Sequence, residues 1–249
     1  MTGKTHKKGG MLCAMIGFVI LRDRGLLYGN INPILQLIIM YPFAIWGSIC
    51  SDLDHHWSSC PDKSIPSRVI NWILHLAKPL EDNLNKTGFN KSPLVKLVCT
   101  LFNAKHRSWQ THSDLTLFGA LLLLKHILDG NLGSFVLSKQ DIILASLIVT
   151  GITMGIIAHF IYDSITPEGI WLIGFCLINK ALRKKVLPEK LHFVPKTKFF
   201  ATGGSWETLI RKISGVLTWV FAVYIVLTTI NPDIFKGLIS NIPFEISVG

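Results

Sequence analysis

Residues 31–50 are twenty consecutive positions without a charged side chain, and residues 142–162 are twenty-one more. At 1.5 Å per residue, a helix of about 20 apolar residues matches the roughly 30 Å hydrocarbon core of a bilayer. Water is absent there, so backbone N–H and C=O groups must pair within the protein, which leaves helices or closed barrels. The sequence shows no alternating strand pattern, so the expected class is all-α: a polytopic membrane bundle with about four or five membrane segments. Composition agrees. Charged residues are 16% of the chain, where about 25% is usual for a soluble domain. Mean hydropathy is +0.44. Those values exclude a disordered chain and disfavour a freely soluble enzyme.

The other apolar segments are less complete. Residues 9–21 are thirteen long, about 20 Å as a helix and short for a span. The basic head Lys4, Lys7 and Lys8 before them imitates a signal peptide. No small-residue cleavage site follows, so a retained segment is expected. Residues 115–128 are apolar apart from Lys125 and His126. Residues 170–178 are too short to cross, and 214–230 are just long enough. Pro42 is a candidate kink within 31–50. Residues 68–80 mix Ile70, Trp72, Ile73 and Leu76 with polar positions, the pattern of an interfacial amphipathic helix. The expected organisation is one membrane-embedded unit over 1–249, with a polar insert at about 57–105 and a C-terminal membrane helix at about 214–230.

With spans at roughly 9–28, 31–50, 115–136, 142–162 and 214–230, residues 1–8, 51–114 and 163–213 share one side. That side carries 20 of the 25 Lys and Arg residues. The positive-inside rule assigns it to the cytoplasm. The net charge of +10 then reads as attraction to anionic membrane lipid rather than to a specific nucleic acid. The five cysteines, Cys13, Cys50, Cys60, Cys99 and Cys176, form no C-x-x-C pair. They are expected to pack as small apolar residues, outside any disulfide framework. The Trp and Tyr residues are expected as interface anchors.

Histidines and carboxylates gather on that same side, a convergence that played no part in building the topology. His6 precedes the first segment. Asp52, Asp54 and His55 follow the second. His106 and His112 precede the third, and His159 and Asp163 close the fourth. His159 and Asp163 are spaced i, i+4, so both project from one helix face. Such a pair binds one metal, or the Asp orients the His from behind. Carboxylates with imidazoles suit zinc, manganese or iron more than calcium. Arg107 has the planar fork that binds a phosphate. His56, His75, His126 and His192 have no partner pattern. Gly203–Gly204–Ser205–Trp206–Glu207 lacks the order of a phosphate loop. It reads as a turn with Ser205 capping the last helix and Glu207 as a first-turn acid or late ligand.

Five motifs run in order along nearly the whole chain: Thr5–His6, Asp52–His55, His106–Ser113, His159–Gly169 and Gly204–Glu207. This ordered set resembles the YdjM-like family of inner-membrane proteins named as metal-dependent hydrolases, one branch of which is described as LexA-regulated. Ser51 stands where that family usually has Pro. The H-x-x-x-D element is also similar to zinc-dependent phospholipase C and P1-type nucleases. These resemblances imply a membrane metal-dependent hydrolase of phosphoesters, lipid among them, with zinc as first choice of metal. The metal shell would draw on His6, Asp52, Asp54, His55, His106, His112, His159, Asp163 and Glu207. Asp54 would take a proton and Arg107 would meet phosphate. The alternative is a non-catalytic membrane metal-binding regulator or scaffold. A transporter would place its ionisable residues near mid-span, whereas these lie at span ends.

Overall fold

The structure, a computed structural model, describes residues 2–28, 31–50, 52, 64–74, 113–132, 135–136, 138–166, 169–191, 193 and 202–230. In chain order the helices are α1 (Gly3–Asp23), α2 (Pro33–Cys50), α3 (Ile65–Leu74), α4 (Asp114–Leu128), α5 (Lys139–Ser164), α6 (Ile173–Ala181) and α7 (Ser205–Ile225). A short π-helical stretch, Val226–Ile230, continues α7. Four two-residue strands form two antiparallel pairs: β1 (Asn131–Leu132) with β2 (Phe135–Val136), and β3 (Ile170–Trp171) with β4 (Lys190–Leu191). The all-α class holds, with these ribbons as turns between helices. Among the described residues, three helical stretches are long and apolar enough to cross a membrane: Pro33–Cys50, Lys139–Ser164 and Ser205–Thr229.

Several boundaries differ from the sequence pattern, each for a local reason. α1 begins at Gly3, so Lys4, Lys7 and Lys8 are helical, and it ends before Gly25 at φ 65°. α4 stops at Leu128, short of 136, where Gly130 takes φ 72° and the chain turns into β1–β2. The cap of α7 is Gly204, not Ser205, and it makes no side-chain cap bond. α2 continues through Pro42. The apolar stretch 170–178 divides into β3 and the first part of α6. Of the polar insert, only 64–74 is described, and residues 75–80 of the expected interfacial helix lie outside the described residues.

The bundle is held by close backbone approach. At Gly155 an added Cβ would lie 2.2 Å from the carbonyl oxygen of Ala44. At Gly151 it would lie 2.4 Å from that of Met40, and at Gly10 2.6 Å from that of Ala44. Small residues let helices approach where lipid offers no hydrophobic drive for association. Contacts rise together along both chains, Met40 with Gly151 and Ala44 with Gly155, so α2 and α5 run parallel. α1 runs opposite to both, with its start at the ends of α2 and α5. The chain between α2 and α5 must therefore return along the bundle. α4 is the described element that does so: Leu117 and Ala120 pack beside Ile156 and Phe160, and Gly130 lies near Ile142. α7 runs parallel to α1, tied by Glu207 at one end and by Arg22 to Thr229 at 2.8 Å at the other.

Apolar side chains point outward as well as inward. Ile38, Phe118, Val216 and Trp219 are all more than half exposed, as lipid-facing positions require. α3 is inverted relative to a soluble helix. Ser67 and Asn71 are buried, with Ser67 accepting the Trp46 indole N–H at 2.9 Å, while Ile65, Val69 and Trp72 face out. At the end away from the His/Asp residues, buried Gln36 uses its whole amide on the loop before α2. Its Nε2 donates to Tyr28 and Ile31 carbonyls at 2.8 and 2.9 Å, and its Oε1 accepts from Tyr28 N at 3.0 Å.

The glycine contacts give a direct test. Gly155→Leu is expected to destabilise by about 3 kcal/mol or more, since the obstruction is backbone. Gly119→Ala, where nothing lies within 4 Å, is expected to be neutral or to stabilise by up to about 1 kcal/mol. Thermal unfolding of the two variants in one detergent checks the contrast.

Candidate metal centre

Three helices bring their ends to one buried point. α5 supplies His159 and Asp163 from its last two turns. α7 begins and α1 starts on the same side, α1 with His6 in its first turn, and Asp52 follows the end of α2. His6, Asp52, His159 and Asp163 are each 6% exposed or less. One ligand atom from each of His6, Asp52 and His159 lies within 4.8 Å of the others. Asp163 bridges the two imidazoles: Oδ1 is 3.3 Å from His6 Nε2 and Oδ2 is 3.1 Å from His159 Nε2. His6 Nε2 is 4.0 Å from Asp52 Oδ2. The two rings stack, with centroids 4.0 Å apart and planes 19° apart.

The hydrogen bonds fix which nitrogens are available. His159 Nδ1 lies 2.8 Å from the carbonyl oxygen of Ser48. A carbonyl only accepts, so Nδ1 carries the proton, and Nε2 is the nitrogen that faces the cluster, 3.1 Å from a carboxylate oxygen of Asp163. His6 makes no hydrogen bond from either ring nitrogen. Burial, and then the neighbouring His159 ring, lowers its pKa from 6.5 to about 4, against Asp163 and Asp52, which raise it. His6 is therefore neutral near pH 7, the form that ligates metals. Two carboxylates in one desolvated space cost several kcal/mol each without neutralisation. One divalent cation balances two of them. The donor set, imidazole with carboxylate, fits zinc, manganese or iron.

The end of α5 is shaped to hold this pair. Thr166 donates its hydroxyl to the Asp163 carbonyl at 2.7 Å and its N–H to the same oxygen at 2.9 Å. Gly169 then takes φ 61°, a left-handed turn that favours glycine. Ser113 caps α4 at this end through its backbone, bridged to Trp171, and the Asp114 carboxylate accepts from Ile173 N at 3.0 Å.

Glu207 occupies a neighbouring cluster. Its Oε1 accepts from Thr2 N and from the Thr5 hydroxyl, both at 2.6 Å, and from the Thr2 hydroxyl. Its Oε2 accepts from Gly203 N at 2.6 Å. The carboxylate thus sits at the N-termini of both α1 and α7, where helix dipoles favour negative charge, and it fixes the turn that carries His6. Of the residues singled out in the sequence, the structure joins His6, Asp52, His159 and Asp163, and sets Glu207 against Thr2 and Thr5 at the start of α1. Asp54, His55, His106, Arg107 and His112 lie outside the described residues. Sequence reasoning missed Ser48, which acts through its backbone carbonyl. It also missed Tyr162, whose ring centroid is 6.3 Å from that of His6 and whose hydroxyl bonds that of Ser214.

The family model for the YdjM inner membrane protein matches residues 1–234. The chain belongs to this family. No curated protein and no solved structure matches it. The YdjM match spans every element from α1 to α7, so all the helices that build the centre lie inside it. It places the chain in the inner membrane, in keeping with the three apolar helices.

Metal content tests the centre. Detergent-purified protein loaded with zinc, manganese or iron is expected to retain about one ion per centre, and His6→Ala and His159→Ala to lose it. Glu207→Gln is expected to keep the ion but to lose about 1–3 kcal/mol of stability, because an amide presents N–H where an acceptor is required. Elemental analysis beside thermal unfolding separates the two effects.

Proposed function

We propose that this YdjM-family protein is a membrane-bound metal-dependent hydrolase acting on phosphoesters. The observation that carries the reading is the meeting of His6, Asp52, His159 and Asp163 at one buried point. His6, Asp52 and His159 hold the ion, zinc first and manganese or iron in its place. Asp163 steadies both rings, and the Ser48 carbonyl accepts the Nδ1–H of His159, so that Nε2 is the nitrogen turned toward the ion. A bound divalent ion supplies Lewis acidity and lowers the pKa of a coordinated water. Asp54, two residues beyond Asp52, takes a proton as general base. Arg107 neutralises phosphate charge. His55, His106 and His112 are proposed as further ligands on the motif resemblance alone.

A second reading has its own support. Burial of all four residues suits a closed, structural ion with no open position. On that reading the chain is a metal-binding regulator or scaffold. Turnover decides between them. The metal-loaded protein is expected to hydrolyse a water-soluble phosphodiester such as bis(p-nitrophenyl) phosphate. A chelator should abolish the activity, and Asp163→Asn should lower kcat/KM by about 10–100-fold. A stoichiometric ion with no turnover on any phosphoester selects the regulator or scaffold.

We also place the metal end of the bundle in the cytoplasm, on the strength of the 20 basic residues of that side. With Lys184→Cys introduced, a membrane-impermeant maleimide is expected to label that position only after the inner membrane is opened. Labelling in intact spheroplasts would reverse the orientation.

A further inference from the structure

A groove runs down the bundle beside the His/Asp cluster. It lies between α1, α5 and α7 and has a volume of about 660 Å³, within the roughly 300–1,000 Å³ of ligand sites. Its walls are apolar: Gly9, Ile16 and Leu21 on α1, Ala158 and Tyr162 on α5, and Leu217 on α7. The upper end approaches the centre through Tyr162, which lines the groove and whose ring centroid is 6.3 Å from that of His6. The Tyr162 ring also covers Gly9, where an added Cβ would meet it at 2.6 Å. From Gly9 to Leu21 the groove follows α1 for about 18 Å. That is close to the depth of one leaflet, half of the roughly 30 Å hydrocarbon core.

Charge marks what sits at its mouth. On α1 the ridge of Leu12, Ile16 and Ile20 continues upward, at four-residue steps, into Lys8 and Lys4. Both lysines are exposed. An apolar slot one leaflet deep, with cations at its top and a His/Asp centre beside them, complements one kind of molecule. It must have a long hydrocarbon chain and an anionic phosphate at its end.

We propose that the groove seats one acyl chain of an anionic glycerophospholipid and presents its phosphodiester to the metal centre. This rests on the hydrolase reading for the chemistry that follows, but not for the seating itself. In that chemistry one phosphorus–oxygen ester bond breaks and the oxygen of water takes its place on phosphorus. The proton from water leaves with the released alcohol.

The test uses the full chain, loaded with zinc, in vesicles of phosphatidylglycerol and phosphatidylcholine. A trace of phosphatidylglycerol carries a photoactivatable diazirine in its acyl chain. Crosslinks mapped by mass spectrometry are expected to concentrate on Ile16, Ile213 and Leu217. They should persist in His159→Ala, which keeps the groove. Ile213→Trp and Leu217→Trp fill the slot from a half-exposed helix face, and each is expected to cut groove labelling by about tenfold, a change of roughly 1.4 kcal/mol in binding. Lys4→Gln with Lys8→Gln should remove the preference for phosphatidylglycerol over a phosphatidylcholine probe. Labelling spread evenly over outward residues such as Ile38 and Val220, unchanged in both Trp variants, would mean ordinary surrounding lipid and would overturn the proposal. The hydrolase reading fails separately, by absence of turnover on the soluble diester while groove labelling persists. If both activities exist, the Trp variants should lose phosphatidylglycerol hydrolysis and keep that of the soluble diester. Equal phosphatidylglycerol turnover in wild type and both Trp variants would also overturn the proposal.

Discussion

The centre depends on the backbone approach of α2 to α5. Gly155 faces the Ala44 carbonyl with no room for a side chain. One turn later along α5, the Ser48 carbonyl is within 2.8 Å of His159. That hydrogen bond exists only because the backbones are so close. The parallel course of the two helices then delivers Asp52 and Asp163 to the same end. α1 enters between them through Gly10, packed against Ala44 and Ser48, and sets His6 into the remaining space. Small residues thus do more than stabilise the bundle. They determine that four chemically useful side chains converge.

Burial decides the character of that convergence. Polar groups at membrane depth are costly unless they are satisfied, and two large ones in this bundle are satisfied closely. Gln36 uses every position of its amide, and Glu207 has acceptor bonds on both oxygens. The His/Asp cluster is different. His6 Nε2 and His159 Nε2 both face the Asp163 carboxylate, at 3.3 and 3.1 Å. Two imidazoles and two carboxylates desolvated together are the donor set on which the proposed metal rests. Glu207 supports it by locking the start of α1.

The sequence revealed most of the helices and the core of the centre. The i, i+4 spacing of His159 and Asp163 survived intact, because it depends on one helix alone. The gathering of His6 and Asp52 beside them followed from counting crossings, which a 20-residue apolar run makes readable. Less legible was anything set by backbone contact. The carbonyl of Ser48 has no sequence signature, and Gly155 in an apolar run reads as a weak helix former rather than as a contact surface. The early start of α1 was obscured by Lys4, Lys7 and Lys8, whose charge argues against a membrane segment, although their helix docks on α7 through Glu207. The apolar stretch itself ends at Leu128; extending the span to 136, to bilayer length, carried it across the turn at Gly130. Between Asp52 and Asp54, spacing alone did not choose.

The outward faces complete the physical picture. A soluble protein buries its apolar residues and exposes its polar ones, whereas α3 buries Ser67 and Asn71 and presents Ile65, Val69 and Trp72. The same inversion holds along α7, where Val216, Trp219 and Val220 face away from the bundle. On most of this surface lipid meets a convex helix face. Between α1, α5 and α7 it meets a concave slot that lies beside a buried His/Asp cluster and is topped by lysines. Surrounding lipid needs only apolar contact, which the convex faces already provide. The slot adds depth, a neighbouring His/Asp cluster and a cationic rim, three features that apolar solvation does not require and that a held phospholipid does.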